Sequence, residues 1–264
     1  MAVEKEYLMI FNHEITQSYD DWLKTPTGRY IDGREKSLIL DLTAPRVGER
    51  VLDIGCGTGE HLILFMKKGC QITGVEISPH MLDMAKQKLR NRGDFYLEKA
   101  EDLPFSDNEF DIVSIINALE FMDDPQQAIS EAIRVCRGRV FLGGMNKLSL
   151  AGKIWKYKNA GNPSVYSNAR FFHMGQLTGM VRNQLQGVRI QWGSVIFLPY
   201  QWYRFATSIE EKIPIMKNPF GAFWGLSFPV TFTYRTLQDI IREPFEMEPR
   251  RRQPAPGIVR EIRK

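Results

Sequence analysis

The chain has few cysteines and histidines, no long apolar run and little excess of charge. Its three cysteines, Cys56, Cys70 and Cys136, are widely spaced and form no CxxC pair. That argues against a disulfide framework or a structural zinc site and suits a reducing compartment. The four histidines, His13, His61, His80 and His173, show no metal-ligand spacing, so no metal is expected. The most apolar late stretch, residues 219–232, is too short for a membrane helix and contains Pro229, so no transmembrane segment is expected. The first ten residues carry Glu4, Lys5 and Glu6 and do not read as a secretory signal. A formal charge of +4 neither demands nucleic acid nor excludes an anionic substrate, and no DNA partner is expected. A cytoplasmic location is the expectation.

What is present is an ordinary globular composition, 43% hydrophobic and 25% charged over 264 residues, enough for one large α/β domain with an appendage. From Gly33 to Leu42 the spacing reads as a helix stopped at Ala44-Pro45. Strands and helices then alternate. Val51–Ile54, Gln71–Ile77, Asp94–Glu98, Asp111–Ile116 and Arg139–Gly143 read as strands. Glu60–Lys68, the stretch from Ser78-Pro79 to about Arg90, and Asp124-Pro125 to Cys136 read as helices. This alternation implies right-handed βαβ units and a parallel sheet covered on both faces. Further on, Met174–Gln186 reads as a helix, and Val188–Leu198 and Gly221–Tyr234 as two longer strands. Three parts are expected. Residues 1–45 form a helical cover. Residues 46–235 form the main domain, with a lid or insertion at about 144–170 and another at 199–218. Residues 236–264 form a Pro/Arg-rich basic tail able to contact an anionic surface weakly.

The informative motif is the turn after the first strand, Asp53-Ile54-Gly55-Cys56-Gly57-Thr58-Gly59. Glycines there let backbone approach a ligand closely at the carboxyl edge of the sheet. A dinucleotide site wants G-x-G-x-x-G. Here the third glycine comes one residue early, and Glu60 stands in its place, where a carboxylate repels a pyrophosphate. No Gly-Lys-Ser/Thr follows, so a P-loop is excluded too. Glu76, 23 residues after Asp53 at the end of the second strand, can accept hydrogen bonds from both hydroxyls of a ribose. A glycine turn without phosphate machinery plus a ribose clamp suits a nucleoside with a non-phosphate tail.

Val51 to Gly59 resembles the first motif of class I S-adenosylmethionine-dependent methyltransferases. Gly74-Val75-Glu76-Ile77-Ser78, Ala100-Glu101-Asp102-Leu103-Pro104-Phe105, Phe110-Asp111-Ile112-Val113 and Asp124-Pro125 before Arg134-Val135 follow in the family's order. The branch is similar to the ubiquinone/menaquinone-biosynthesis-like group, type 11. The resemblance implies a doubly wound, Rossmann-like, seven-stranded and mostly parallel sheet with an antiparallel last strand. It implies S-adenosyl-L-methionine as cofactor and S-adenosyl-L-homocysteine as product. Asp53 and Gly55, Cys56, Gly57 and Gly59 would line the methionine part. Glu76 would hold the ribose, Ile77 would pack on the adenine, and Ala100 and Glu101 would border its edge. Asn117 would lie under the sulfonium end. Tyr19 or Arg29, in a segment that covers the cofactor in similar proteins, would meet the methionine carboxylate. Lys99 departs from the acidic or amide residue usual there.

Two residues are candidates for the chemistry. Glu120 stands where similar proteins carry histidine and acts as a base or orients the acceptor, or is a solvated helix-start acid. His61 opens the helix after the glycine loop. Phe121 reads as packing and His80 as exposed. The function expected is methyl transfer to a small hydrophobic or aromatic acceptor by in-line displacement, in which positioning dominates and a base is optional. Methylation of RNA or protein, or a cofactor-binding scaffold without catalysis, are the alternatives. The sequence is silent on oligomeric state.

Overall fold

A computed structural model describes residues 21–149 and 169–230. Its core is one seven-stranded sheet in the order β3-β2-β1-β4-β5-β7-β6. The strands are β1 (Arg50–Ile54), β2 (Gln71–Glu76), β3 (Asp94–Leu97), β4 (Phe110–Ile116), β5 (Cys136–Met145), β6 (Gln191–Val195) and β7 (Phe223–Pro229). β1 to β5 pair in parallel, and β7 runs antiparallel between β5 and β6. This is the doubly wound, mostly parallel sheet expected, with its antiparallel last strand.

The helices begin where local chemistry satisfies their first N–H groups. Helix α1 (Pro26–Thr43) is capped by the Thr25 hydroxyl accepting from Gly28 N, and ends with Ala44 in the left-handed region before Pro45. It starts well ahead of Gly33, because Thr25-Pro26 is itself a cap followed by proline at the first helical position. Helix α2 is Glu60–Lys67. Helix α3 (Pro79–Lys88) starts on the Ser78 hydroxyl, and helix α4 (Pro125–Val135) on Asp124, whose carboxylate accepts from Gln126 N and Gln127 N. Helix α5 (Met174–Gln184) opens with a capping box between His173 and Gln176.

Side chains alternate across the sheet with period two. Leu52, Ile54, Val113, Ile115, Leu142 and Leu226 lie under α4 and α5. Val51, Ile112, Phe141 and Phe223 face α1, α2 and α3. Two strands differ in length from expectation. The run at 188–198 forms a strand only over Gln191–Val195, where it pairs with β7, and β5 extends beyond 139–143, back to Cys136 opposite Phe110 of β4 and on to Met145 opposite Phe223 of β7. Between β6 and β7 lie a 3-10 turn (Tyr200–Arg204) and a one-turn helix (Thr207–Glu210).

Strand order reverses between β1 and β4. In an open α/β sheet such a switch opens a crevice at the carboxyl ends of the strands, the place where ligands bind.

Candidate cofactor site

The crevice holds an open cleft. One side comes from the loops after β1 and β2, with Gly55, Glu76 and Ile77. The other comes from Lys99, Ala100 and Glu101 after β3, and from Ala118, Phe121, Met122 and Asp123 after β4.

Glu76 is 1% exposed. Its Oε2 accepts from Gly57 N at 3.0 Å and its Oε1 from Ser78 N at 2.9 Å. Burial pushes its pKa up, against the backbone N–H groups of Ser78, Gly57 and Ile77. Each oxygen keeps a lone pair beyond the one occupied, so the carboxylate can still grip two hydroxyls.

The three glycines do different work. Gly55 has φ 71°, and a Cβ there would stand 2.5 Å from the Ala118 Cβ. Only glycine lets the loops after β1 and β4 cross so closely. Gly57 has φ 53° and open space where a Cβ would lie, with only the Met81 sulfur at 3.9 Å. Gly59 caps α2 at φ 83°, and its Cβ would meet Leu89 at 2.9 Å, so it serves helix packing. Cys56 is buried with its sulfur beneath Gly74, and burial raises its thiol pKa strongly. Its backbone N–H, like that of Gly55, donates to Val75 O.

Asp53 is 1% exposed, and its Oδ1 accepts from the Ser114 hydroxyl at 2.7 Å. Burial, with Glu76 adding repulsion, pushes its pKa up to about 7. Asp53 Oδ2 and Asn117 Oδ1 are buried acceptors with no partner. Asn117 holds φ 53°, its N–H donating to Gly143 O. Buried acceptors without donors are costly, and a ligand bringing N–H or O–H groups would satisfy them. Glu101 accepts from Asp124 N at 3.2 Å, tying the loop after β3 to the start of α4.

Glu120 is not the solvated acid of the alternative reading. It is 2% exposed, because the 3-10 turn after β4 (Leu119–Phe121) folds it under β5. Its Oε1 accepts from Met145 N at 2.8 Å, its Oε2 has no partner, and burial pushes its pKa up to about 7. His61 is half-buried at the start of α2. Burial, with Lys36 beside it, pushes its pKa down to about 4, so it is neutral at pH 7. His80, expected exposed, is half-buried on α3. Phe121, read as packing, borders the cleft.

Arg29 is exposed on α1, and Tyr19 lies outside the described residues. Sequence reasoning passed over Arg34 and Glu35 on the same helix. Arg34 Nε and Nη2 are buried without a partner, and burial, then Asp32, pushes the Glu35 pKa up to about 8. No sequence signal distinguishes them from other polar residues of an amphipathic helix. Glu60 also departs from expectation. It pairs with Lys88 at 2.6 Å and with Lys36 at 3.7 Å, so its charge is largely compensated. Its repulsion of a pyrophosphate is weaker than its position in the motif suggests. The missing Lys of a P-loop and the glycine spacing remain as the arguments against phosphate.

A doubly wound sheet with a glycine loop at the switch point, a buried acid at the end of β2 and no phosphate cradle defines the fold class of nucleoside-cofactor methyltransferases. The comparisons agree. Residues 52–142 match the methyltransferase domain family. An uncharacterised protein of Methanocaldococcus jannaschii is 35% identical over 136 residues, 50% of this chain and 62% of that one. The ubiquinone/menaquinone biosynthesis C-methyltransferase of Serratia proteamaculans is 33% identical over 126 residues, 44% of this chain and 50% of that one. The chain thus spans about half the length of the curated relatives it matches. A solved SAM-dependent methyltransferase of Thermotoga maritima, described as a possible histamine N-methyltransferase, superposes with TM-score 0.65 at 26% identity, covering 85% of this chain and 100% of that one. Residues 52–142 form a class I S-adenosylmethionine-dependent methyltransferase domain of the type 11 branch, and the cofactor of that class is S-adenosylmethionine. The residues present fit it: a buried acid aimed at a cleft, two orphaned buried acceptors and a loop that only glycine can form.

Proposed function

We propose that the chain is an enzyme that transfers a methyl group from S-adenosylmethionine to a small, hydrophobic or aromatic acceptor by in-line displacement. The observation that carries this is the Glu76 carboxylate, buried at the cleft and joined to the glycine loop through Gly57 N. The bound cofactor supplies an electrophilic sulfonium methyl. The protein's part is positioning, which accounts for most of the acceleration available to such a transfer. Glu76 would hold the ribose hydroxyls and Ile77 would pack on the adenine. Ala100 and Glu101 would border the adenine edge, with Lys99 in place of the usual acid. Asp53 and Asn117 offer acceptors suited to the ammonium of the methionine part. Glu120, poised near neutrality, can take a proton from an acceptor that must lose one during attack. His61, neutral at pH 7, is the second candidate for that task. A quinone-like acceptor is favoured by the names of several relatives, among them demethylmenaquinone methyltransferases. The three unpaired thiols suit action in the cytoplasm.

The test is incubation of the purified protein with methyl-labelled cofactor and separate pools of hydroxyquinols, phenols, small amines, RNA and protein. Label in a small-molecule pool, lost with Glu76→Ala, supports the reading. Label only in RNA or protein would overturn the acceptor class. Cofactor binding without transfer to any pool would favour a scaffold.

A further inference from the structure

The connection from β6 to β7 turns Tyr203, Ala206 and Glu210 inward and Trp202, Phe205 and Ile209 outward. Tyr203, Ala206 and Glu210 are 4%, 8% and 0% exposed. One residue earlier in each case, Trp202, Phe205 and Ile209 are 56%, 87% and 56% exposed. Trp202 lies in the 3-10 turn, Phe205 and Ala206 in the break after it, and Ile209 and Glu210 in the one-turn helix, so exposure rather than one helical period separates the two sides. The inner face is fixed. Glu210 accepts from Ile196 N at 2.7 Å, Phe197 N at 3.0 Å and the Tyr203 hydroxyl at 2.9 Å. The Tyr30 hydroxyl donates to Thr207 O from α1. The outward apolar side chains are therefore held out by a specific polar anchor.

Met216 and Phe220 are also exposed in the same connection, at 50% and 67%. Of the nine large apolar side chains exposed among the described residues, five fall between 202 and 220. Such concentration marks an interaction surface. Its charge selects the occupant. Arg204, Lys212 and Lys217 are exposed there against one exposed acid, Glu211. Aromatic side chains interleaved with cations match the interface of an anionic bilayer, where rings enter the headgroup region and cations meet lipid phosphates. The connection leaves β6 at Val195 and enters β7 at Phe223, which pairs with Met145 at the carboxyl end of β5. That is the edge at which the cleft opens.

We propose that Trp202, Phe205 and Ile209, with Arg204, Lys212 and Lys217, dock the carboxyl edge of the sheet onto an anionic lipid bilayer. Docking there would bring the cleft near an acceptor dissolved in lipid. The docking itself does not depend on the methyl-transfer reading and is tested apart from it.

The full chain is floated with vesicles of phosphatidylcholine alone and of phosphatidylcholine mixed with phosphatidylserine. The protein should float with the mixed vesicles and far less with the neutral ones. The triple change Trp202→Ser/Phe205→Ser/Ile209→Ser should weaken binding about tenfold or more. Arg204→Gln/Lys212→Gln/Lys217→Gln should weaken it about fivefold per cation at low salt. Both variants should keep the wild-type melting temperature and cofactor affinity, since every changed side chain is exposed. Wild type that floats with neither vesicle overturns the proposal. So does a triple variant that floats as well as wild type. Concentration-dependent dimers dissolved by the triple variant, without flotation, would assign the surface to a second copy of the chain.

Discussion

Glu76 at the end of β2 and Gly57 in the loop after β1, 19 residues apart, are joined by a 3.0 Å hydrogen bond from the glycine N–H to the carboxylate. The acid that would hold the ribose also fixes the shape of the loop that would face the methionine part. Cofactor affinity and loop geometry are therefore one property, and a change at either residue is felt at both.

Glu76→Ala should weaken S-adenosylmethionine and S-adenosylhomocysteine binding by about 100-fold, near 3 kcal/mol, from the loss of hydrogen bonds to a charged group. Glu76→Gln keeps the shape but offers a single acceptor atom, and should lose about tenfold. Calorimetric titration of both variants checks this. An unchanged affinity in Glu76→Ala would remove Glu76 from the cofactor site.

The glycines separate packing from binding. Gly55→Ala sets its Cβ against Ala118 at 2.5 Å and should cost about 2–4 kcal/mol of stability in urea melts. Gly57→Ala meets nothing close and should cost about 1 kcal/mol from its positive φ. Its cofactor affinity should nonetheless fall sharply, because the strained loop holds the N–H that Glu76 accepts from. Equal stability losses in the two variants would contradict this division.

Glu120 makes a pH-dependent contribution whose sign follows from its burial. Its folded pKa, about 7, stands above the ordinary 4.5, so the folded state holds the proton more tightly. Stability therefore falls as pH rises from about 4.5 to about 7, and the penalty persists above that. Glu120→Gln cannot ionise. It should match wild type near pH 4.5 and exceed it above pH 7 by about 1–3 kcal/mol. Chemical melts of both proteins across this range measure the difference. A gap that stays constant with pH would place the carboxyl in a wetter setting.

Glu210→Ala strands the N–H groups of Ile196 and Phe197 and the Tyr203 hydroxyl inside the protein. The expected loss is about 3 kcal/mol, from groups left buried without partners. Amide exchange at Ile196 and Phe197 should quicken well beyond that of β4. Exchange that is uniform across the sheet would mean that Glu210 supports the whole fold and not the β6–β7 connection in particular.

Much of this architecture was legible because its causes are local. Ser78-Pro79 and Asp124-Pro125 start helices through side chains that reach N–H groups two or three residues on. The left-handed turns at Gly55, Gly57 and Gly59 are written in the glycines themselves. The placement of Glu76 at the end of β2 follows from counting along a βαβ unit. Glu120 resisted such reading, since a Leu-Glu-Phe triplet after a strand is equally compatible with a solvated turn. Its burial depends on β5 passing above it, where Gly144 leaves room for the carboxyl.

The sequence by itself determined the alternation of strands and helices, their caps, the glycine loop and the acid after the second strand. Each depends on bonds spanning a few residues or on the conformational freedom of one residue. Only the tertiary structure decided that β7 inserts between β5 and β6, that Lys36 and Lys88 largely compensate Glu60, that Glu120 is buried and that Trp202, Phe205 and Ile209 face outward. These depend on which distant segments come to lie side by side, and the energy that selects among such pairings belongs to the packed whole rather than to any stretch of chain.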